Sequence, residues 1–461
     1  MNVNSDTIVA VSTPPGEGGI GIVRLSGKEA LAVVGRIFSS NGGDLSFARS
    51  HSVQHGYIKS PENGEIADEV LVTVMRAPGT YTKEDIVEIN CHGGGIPLKK
   101  VLELCLKEGA RLAEPGEFTK RAFLSGRIDL SQAEAVLDII RSKTEISCRL
   151  AAQQLLGEFS GRIRDLRASA LDILSEIELG IDFTEEDVEF AAFRKLAGDV
   201  KGLRRSVEEV LETAQKGMVL REGASVVIGG KPIVGKSSLM NALLRHDRVI
   251  VTPVAGTTRD IIEESINISG VNVKISDTAG IIETRDRVEI EGIKRSRRKL
   301  EEADIVIFMI DSSQSLSEKD EEIYNTVKGK NVIIVANKID LPRTIKTGQV
   351  KNRFGGGKAL EVSALKGTGL EDLENTIAER IFGGKAGVPE GAVVTNLRHK
   401  QALEKALEAI KRGSELTGKD YNGELLASDL NEAAYHLGRI IGESVEDDIL
   451  DRIFSRFCIG K

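Results

Sequence analysis

Positive charge is not in excess in this chain: 62 lysines and arginines stand against 70 aspartates and glutamates, a formal net charge of −8. No global basic field therefore draws in nucleic acid, and a polyanionic partner has to meet a local patch or a basic partner protein. Cysteine is scarce. Cys91, Cys105, Cys148 and Cys458 lack the paired short spacings of a zinc site or a disulfide framework, so a reducing, cytoplasmic setting is expected. No apolar run approaches the ~18 residues of a membrane helix. The opening MNVNSDTIVAVSTPP has no basic segment followed by an apolar stretch, so neither a membrane span nor a signal peptide is expected.

What remains is an ordinary globular composition, 41% hydrophobic over 461 residues, which is too long for one core. Up to residue 123, short β-patterned runs alternate with glycine-rich turns such as PPGEGG and HGGG. ADEVLVTVMRAPG places Val70, Val72 and Val74 on one side of a strand, and IPLKKVLELCLKEGA reads as a helix. Residues 1–123 are expected to form an α+β domain.

From 124 to 217 apolar residues recur at three- and four-residue steps, the pattern of long amphipathic helices, with Ser131 and Glu134 as a capping box. The same texture returns over 384–461, and the two helical blocks are expected to pack together as one domain. Residues 218–383 between them carry buried-strand runs, ASVVIGG, VNVKISD, ADIVIFMID, NVIIVANK and ALEVSA, separated by helices. That alternation means a doubly wound, mostly parallel sheet, inserted in the helical domain, with its ligand beyond the strand carboxyl ends.

GKPIVGKS follows a strand and precedes a helix, the context a phosphate-binding loop needs. Glycines at Gly230 and Gly235 let amides around Val234 curl about a phosphate, Lys236 supplies a point charge, and Ser237, followed by Ser238, offers a hydroxyl to magnesium. DTAG (Asp277, Thr278, Ala279, Gly280) closes another strand; Asp277 would hold magnesium through water and the Gly280 amide would face the γ-phosphate. AGTTRD lies between, with Gly256, Thr257 and Thr258, and Thr258 is the candidate for closing over magnesium. NKID decides the base: Asn337 and Lys338 precede Asp340, whose carboxylate accepts two hydrogen bonds from guanine. Adenine offers an acceptor there, a mismatch that discriminates by ~10⁴ or more. VSALKG supplies the second base loop, with Ser363, Ala364 and Leu365. These motifs make a GTP site.

The position after DxxG, where many GTPases have a glutamine, is Ile281, which can orient no water. Glu283, Asp286, Glu289 and Glu291 are the candidates to do so, and spacing does not choose among them.

Several segments together, DTIVAVSTPPGEGGIGIVRLSG, GTYTKEDIVEINCHGG, EPGEFTKRAFLSGRIDLSQAEAVLDII, the phosphate loop, DTAGIIETRDRVEIEGI and CIGK, resemble the MnmE (TrmE) family of tRNA-modification GTPases. The likeness runs essentially from end to end. It implies a homodimer acting with an FAD-containing partner, MnmG, to install a carboxymethylaminomethyl or aminomethyl group on the wobble uridine of tRNA. A tetrahydrofolate derivative supplies the one-carbon unit. It implies hydrolysis stimulated by potassium, with Glu289 orienting the water and no arginine finger. The first domain is implied to bind folate and to dimerise.

The resemblance also exposes a departure. Similar proteins read PNVGKSS, where the asparagine is a potassium ligand; this chain has Ile233 there. An alkyl group coordinates no cation, so potassium would rest on backbone carbonyls around Thr252 and Val254, with Thr257 nearby; either activation is weakened or water fills the missing ligand, and stimulation is expected to be weaker than in similar proteins. Folate contacts are implied at Arg24, Glu88 and Arg127. The tail CIGK is implied to reach that pocket, with Lys461 contributing and Cys458 beside the reacting carbon as nucleophile, acid or orienting group. Cys91, Cys105 and Cys148 read as packing residues, and KRSRRK as a solvated helix face. The alternative is an Era-like ribosome- or RNA-binding switch without modification chemistry. Such switches usually add an RNA-binding domain, and no GxxG marks a KH module here. A nucleotide-gated scaffold, with the redox chemistry on its partner, is a third reading.

Overall fold

Alternating apolar residues along the first third fold into a sheet with one covered face. The computed structural model describes residues 6–40, 43–182, 190–246, 264–277, 300, 302–345, 347–355, 359–384, 391–416, 422–443 and 445–461. The first unit contains β1 (Ile8–Val11), β2 (Ile20–Ser26), α1 (Ala30–Ile37), β3 (Phe38–Ser39), β4 (Ser52–Lys59), β5 (Ile66–Met75), β6 (Ile86–His92), α2 (Gly95–Lys107) and β7 (Arg111–Leu112). Its strand order is β3-β4-β5-β6-β2-β1-β7, with β7 parallel to β1. Val70, Val72 and Val74 point with Val23, Leu25 and Ile89 into a core closed by α1 and α2. Because side chains alternate along a strand, Arg24 and Glu88 project from the other face.

Helices follow: α3 (Glu117–Leu124), α4 (Leu130–Arg141), α5 (Glu145–Leu155), α6 (Glu158–Asp182), α7 (Phe190–Glu212) and α8 (Ala214–Glu222). The capping box expected from Ser131 and Glu134 does not form. Asp129 caps α4 instead, accepting from the Gln132 amide while Gln132 reaches back to the Asp129 amide. Its carboxylate lies two residues before Ser131, and it also accepts from the Ser131 hydroxyl. Glu134 is drawn elsewhere, into a buried knot with Arg398 (2.9 and 2.8 Å) and His399 (2.6 Å). Burial opposes ionising Glu134, but Arg398 and His399 outweigh it and hold the carboxyl far below its ordinary range.

The nucleotide-type unit comprises β8 (Ala224–Gly230), α9 (Lys236–His246), β9 (Glu264–Ile268), β10 (Val271–Asp277), β11 (Ile305–Asp311), α10 (Glu318–Val327), β12 (Val332–Asn337), α11 (Thr347–Phe354), β13 (Leu360–Glu361) and α12 (Leu370–Phe382). The order is β13-β12-β11-β8-β10-β9, with every pairing parallel except β9 with β10. The chain then returns as α13 (Leu397–Glu415), α14 (Gly423–Ile441) and α15 (Asp447–Phe454).

Both helical blocks share one core: Ile163 and Ala170 of α6 and Val207 of α7 meet Leu403 of α13 and Leu430 and Leu437 of α14. The α8 helix joins two cores, with Ala214 in the helical one and Leu220 in the α/β one. The β9–β10 turn also rests on the helices, for Gly270, at φ 87°, sits against Ile146 of α5. Leu450, Phe454 and Phe457 pack on Ala122, Leu130 and Leu137, which carries the chain's last residues beneath the first sheet. Among the described residues no helix is long and apolar enough to cross a membrane.

Candidate functional site

The phosphate loop leaves the carboxyl end of β8, a central strand. Gly230 has φ 148°, and a Cβ there would meet the Met309 carbonyl. Gly235, at φ 100°, lies against the Asn337 side chain with no room for a Cβ. Lys236 opens α9; its ammonium donates to the Gly230 (3.1 Å) and Lys231 (2.9 Å) carbonyls, which holds it across the loop. Ser237 and Ser238 follow in the first helical turn, where backbone amides and the helix dipole favour an anion. Val234 is buried and its carbonyl accepts from Asn337 Nδ2 at 2.8 Å.

Asn337 ties the base loops to that turn. Its Oδ1 accepts from the Ala364 amide at 3.0 Å, so one buried side chain spans the phosphate loop and the VSALKG loop. Lys338, at φ 65°, donates to Asp311 Oδ2 at 2.7 Å. Burial works against the Asp311 carboxylate, but Lys338 and Ser313 outweigh it and hold the group below its usual range. Asp340 accepts from the Ser363 hydroxyl at 2.6 Å, and that bond holds its carboxyl low, in the form that accepts hydrogen bonds. Leu365 stands out from the loop, 83% exposed.

Asp277 closes β10, in register with Ile228 of β8. Its side chain lies outside the described residues, as do Thr252, Val254, Gly256, Thr257, Thr258, Thr278, Ala279, Gly280, Glu289 and the KRSRRK stretch. Ile233 is described: it is 87% exposed, at φ 66°, a left-handed conformation that β-branched residues rarely adopt.

A second constellation forms where the chain's last residues meet the first sheet. Arg24 and Glu88 are direct partners in the β2–β6 register, and the guanidinium pairs with the carboxylate at 2.7 Å. The Gly460 carbonyl accepts from Arg24 (3.3 Å) and from the Ser12 hydroxyl (3.2 Å). Gly460, at φ 92°, lies on the Val11 carbonyl, where a Cβ would not fit. The Cys458 carbonyl accepts from the Gly116 and Lys461 amides, both at 3.4 Å. Burial and the nearby Arg24 push the Lys461 ammonium below the usual lysine range, with Glu88 and Cys458 opposing. Cys458 is exposed, whereas Cys91 and Cys105 are buried and their thiols are pushed up to about 12 by desolvation. Cys148 is half-buried.

Arg127 stacks over the Tyr81 ring at 4.8 Å, and Arg24 lies 5.8 Å from the Phe118 ring. Tyr81 bonds Thr119 at 3.0 Å. Burial raises its pKa, while Thr119, Arg127 and Arg24 pull the other way, so both arginines reach this ring's field.

Comparison with known proteins bears on the whole chain. A family model described as the MnmE helical domain matches residues 130–458, and one described as the GTP-binding protein TrmE N-terminus matches 7–127. The tRNA modification GTPase MnmE of Thermoanaerobacter pseudethanolicus is 48% identical over 457 residues, covering 99% of each chain. That of Acetivibrio thermocellus is 46% identical over 456 residues, again covering 99% of each. The chain belongs to the MnmE (TrmE) family. A crystal structure of Aquifex aeolicus Era bound to GDP·AlF₄⁻ is 33% identical over 40% of this chain and 66% of that one. Its TM-score of 0.29 adds nothing to the fold described above.

Of the residues that the MnmE resemblance singles out in the first domain and the tail, Arg24, Glu88, Cys458 and Lys461 are gathered in one place. Arg127 joins them through Tyr81. The loop residues Gly230 to Ser238, Asn337, Lys338, Asp340 and Ser363 to Leu365 gather at another, on the strand ends of the second sheet. Sequence reasoning missed Tyr81, Ser12, Phe118 and Gly460 around the tail, and Asp311 beneath Lys338. Tyr81 stands inside the segment GTYTKEDIVEINCHGG, which marks the family, but nothing about its type set it apart. The need for glycine at 460 becomes visible only through its backbone angle.

Proposed function

We propose that this chain is the GTP-hydrolysing component of a tRNA wobble-uridine modification complex. It acts as a homodimer with the FAD-dependent partner MnmG and uses a tetrahydrofolate one-carbon unit to place an aminomethyl or carboxymethylaminomethyl group at uridine C5. The observation that carries this reading is the docking of the tail on Arg24, within a chain that also holds a guanine-type loop set. A switch protein without carbon-transfer chemistry has no use for a lysine and an exposed thiol lodged against an ion pair of the first domain.

In this reading residues 1–123 bind folate and dimerise, 124–217 and 384–461 form the helical frame, and 218–383 hydrolyse GTP. Asp340 reads the guanine edge, and Ser363 keeps that carboxylate oriented. Lys236 and the first turn of α9 hold the phosphates. Ser237 and Thr258 would hold magnesium, which would supply positive charge to the phosphates. Glu289 orients the attacking water. The donor set suits folate as well: Arg24, Arg127 and Lys461 offer cations to glutamyl carboxylates, and Glu88 offers a carboxylate to a pterin edge. Potassium fits less well, because the Ile233 side chain brings no oxygen to the loop. Removing the last four residues is expected to abolish tRNA modification while GTP hydrolysis stays largely intact, as read by nucleoside analysis of cellular tRNA. Unchanged modified-nucleoside levels in that strain would reject the proposal.

A further inference from the structure

The net charge of −8 hides a local reversal. A cavity of about 440 Å³ opens between α13, α14 and α15, and its walls carry the cations Arg398, Lys405, Arg439, Arg452 and Arg456. The acid among its lining residues, Glu134, is fully engaged by Arg398 and His399. Arg398 is spent as well, on Glu134 and on the Arg439 and Ile440 carbonyls that end α14. Lys405, Arg439, Arg452 and Arg456 form no ion pair among the described residues. The acids of α15 do not supply one: Asp451 pairs with Lys120, and Asp447 and Asp448 lie outside the lining.

Separate elements bring these cations to one cavity. Arg398 and Lys405 are two turns apart on α13, Arg452 lies in the last turn of α15, and Arg456 follows two residues past its end. Arg456 also borders a neighbouring cavity lined by Arg141, Arg221 and Lys274 and by the acids Asp138 and Glu222, both of which pair with Arg221, so Arg141 and Lys274 extend the basic path toward the nucleotide unit. Val445, Ile449 and Ile453 give the first cavity an apolar wall.

We propose that this cavity and its extension bind consecutive phosphates of an RNA backbone, the apolar wall lying against ribose. The proposal rests on the tRNA reading above. Guanidinium forks match phosphate oxygens in pairs, and a path longer than one cavity suits a strand better than a free phosphate ion.

The test measures binding of unmodified tRNA to the full-length protein across a salt series, with a Lys405→Gln/Arg452→Gln double variant. The expected result is at least a ten-fold weaker Kd. The slope of log K against log salt should flatten by about 1.5, the loss of two phosphate contacts. GTP hydrolysis and Tm should be unchanged, and a charge-conserving Lys405→Arg/Arg452→Lys variant should keep the parent's salt slope. Equal affinity and slope in parent and Gln variant would overturn the site and leave the tRNA reading standing. A parent that binds no tRNA even at low salt would overturn both. Intact tRNA binding with lost association to MnmG would overturn the RNA assignment and give the cavity to a protein.

Discussion

The nucleotide loops and the tail cluster are built on opposite plans. The first set hangs from the carboxyl ends of neighbouring parallel strands, so β8, β11 and β12 deliver their loops to one edge of one sheet. Asn337 then needs only two hydrogen bonds to lock the phosphate turn to the base loop. The second set joins residues as distant as Ser12 and Gly460, and depends on α15 packing beneath the first domain before any polar contact can form. A site made of strand ends is inherited from its sheet; a site made of chain ends must be assembled by packing elsewhere.

Substituting Asn337 by alanine is the harshest way to break that contrast. It strands the buried Val234 carbonyl and the Ala364 amide together, at about 1–3 kcal/mol each. GTP affinity measured by titration is expected to fall on the order of 100-fold, with tail docking untouched; a loss below three-fold would mean the two loops hold themselves. The counterpart is Gly460→Val, which forces a branched side chain onto the Val11 carbonyl. Modified-nucleoside levels should drop ten-fold or more while GTP hydrolysis holds, and equal nucleoside levels would show that the tail functions undocked. The smallest effect is expected at Ile233→Asn. Relieving a left-handed β-branched residue should stabilise the fold by ~1 kcal/mol, read as a higher Tm. It should also steepen the response of hydrolysis to potassium, and equally steep responses in both proteins would refute the weakened site.

The difference between the plans also decides what was legible beforehand. β8, β10, β11 and β12 are each a short apolar run closed by a polar motif, so strand and ligand loop are read together. β9, with the sequence ESINI, is an antiparallel edge strand whose mixed polarity carries little signal, and it was missed. Ser131 and Glu134 had the right spacing for a cap, yet Asp129 was nearer and Arg398 lay 264 residues away, where no local pattern reaches. Arg24, Glu88 and Lys461 came from family resemblance alone, since exposed-looking charges have no periodicity to betray a pocket. The basic cavity was invisible for the same reason: its cations come from separate helices within an acidic chain.

One contact outside both sites bears on the nucleotide loops in a mechanical sense. The hairpin tip at Gly270 leans on Ile146, and from there β10 runs straight for seven residues, Val271 to Asp277, a rod of about 23 Å. One end of that rod bears on a scaffold helix, and the other delivers Asp277 to the strand edge where phosphates are handled. A bulkier residue at 270 would act as a shim, lifting the tip off its bearing and shifting the far end without touching a single group that meets nucleotide.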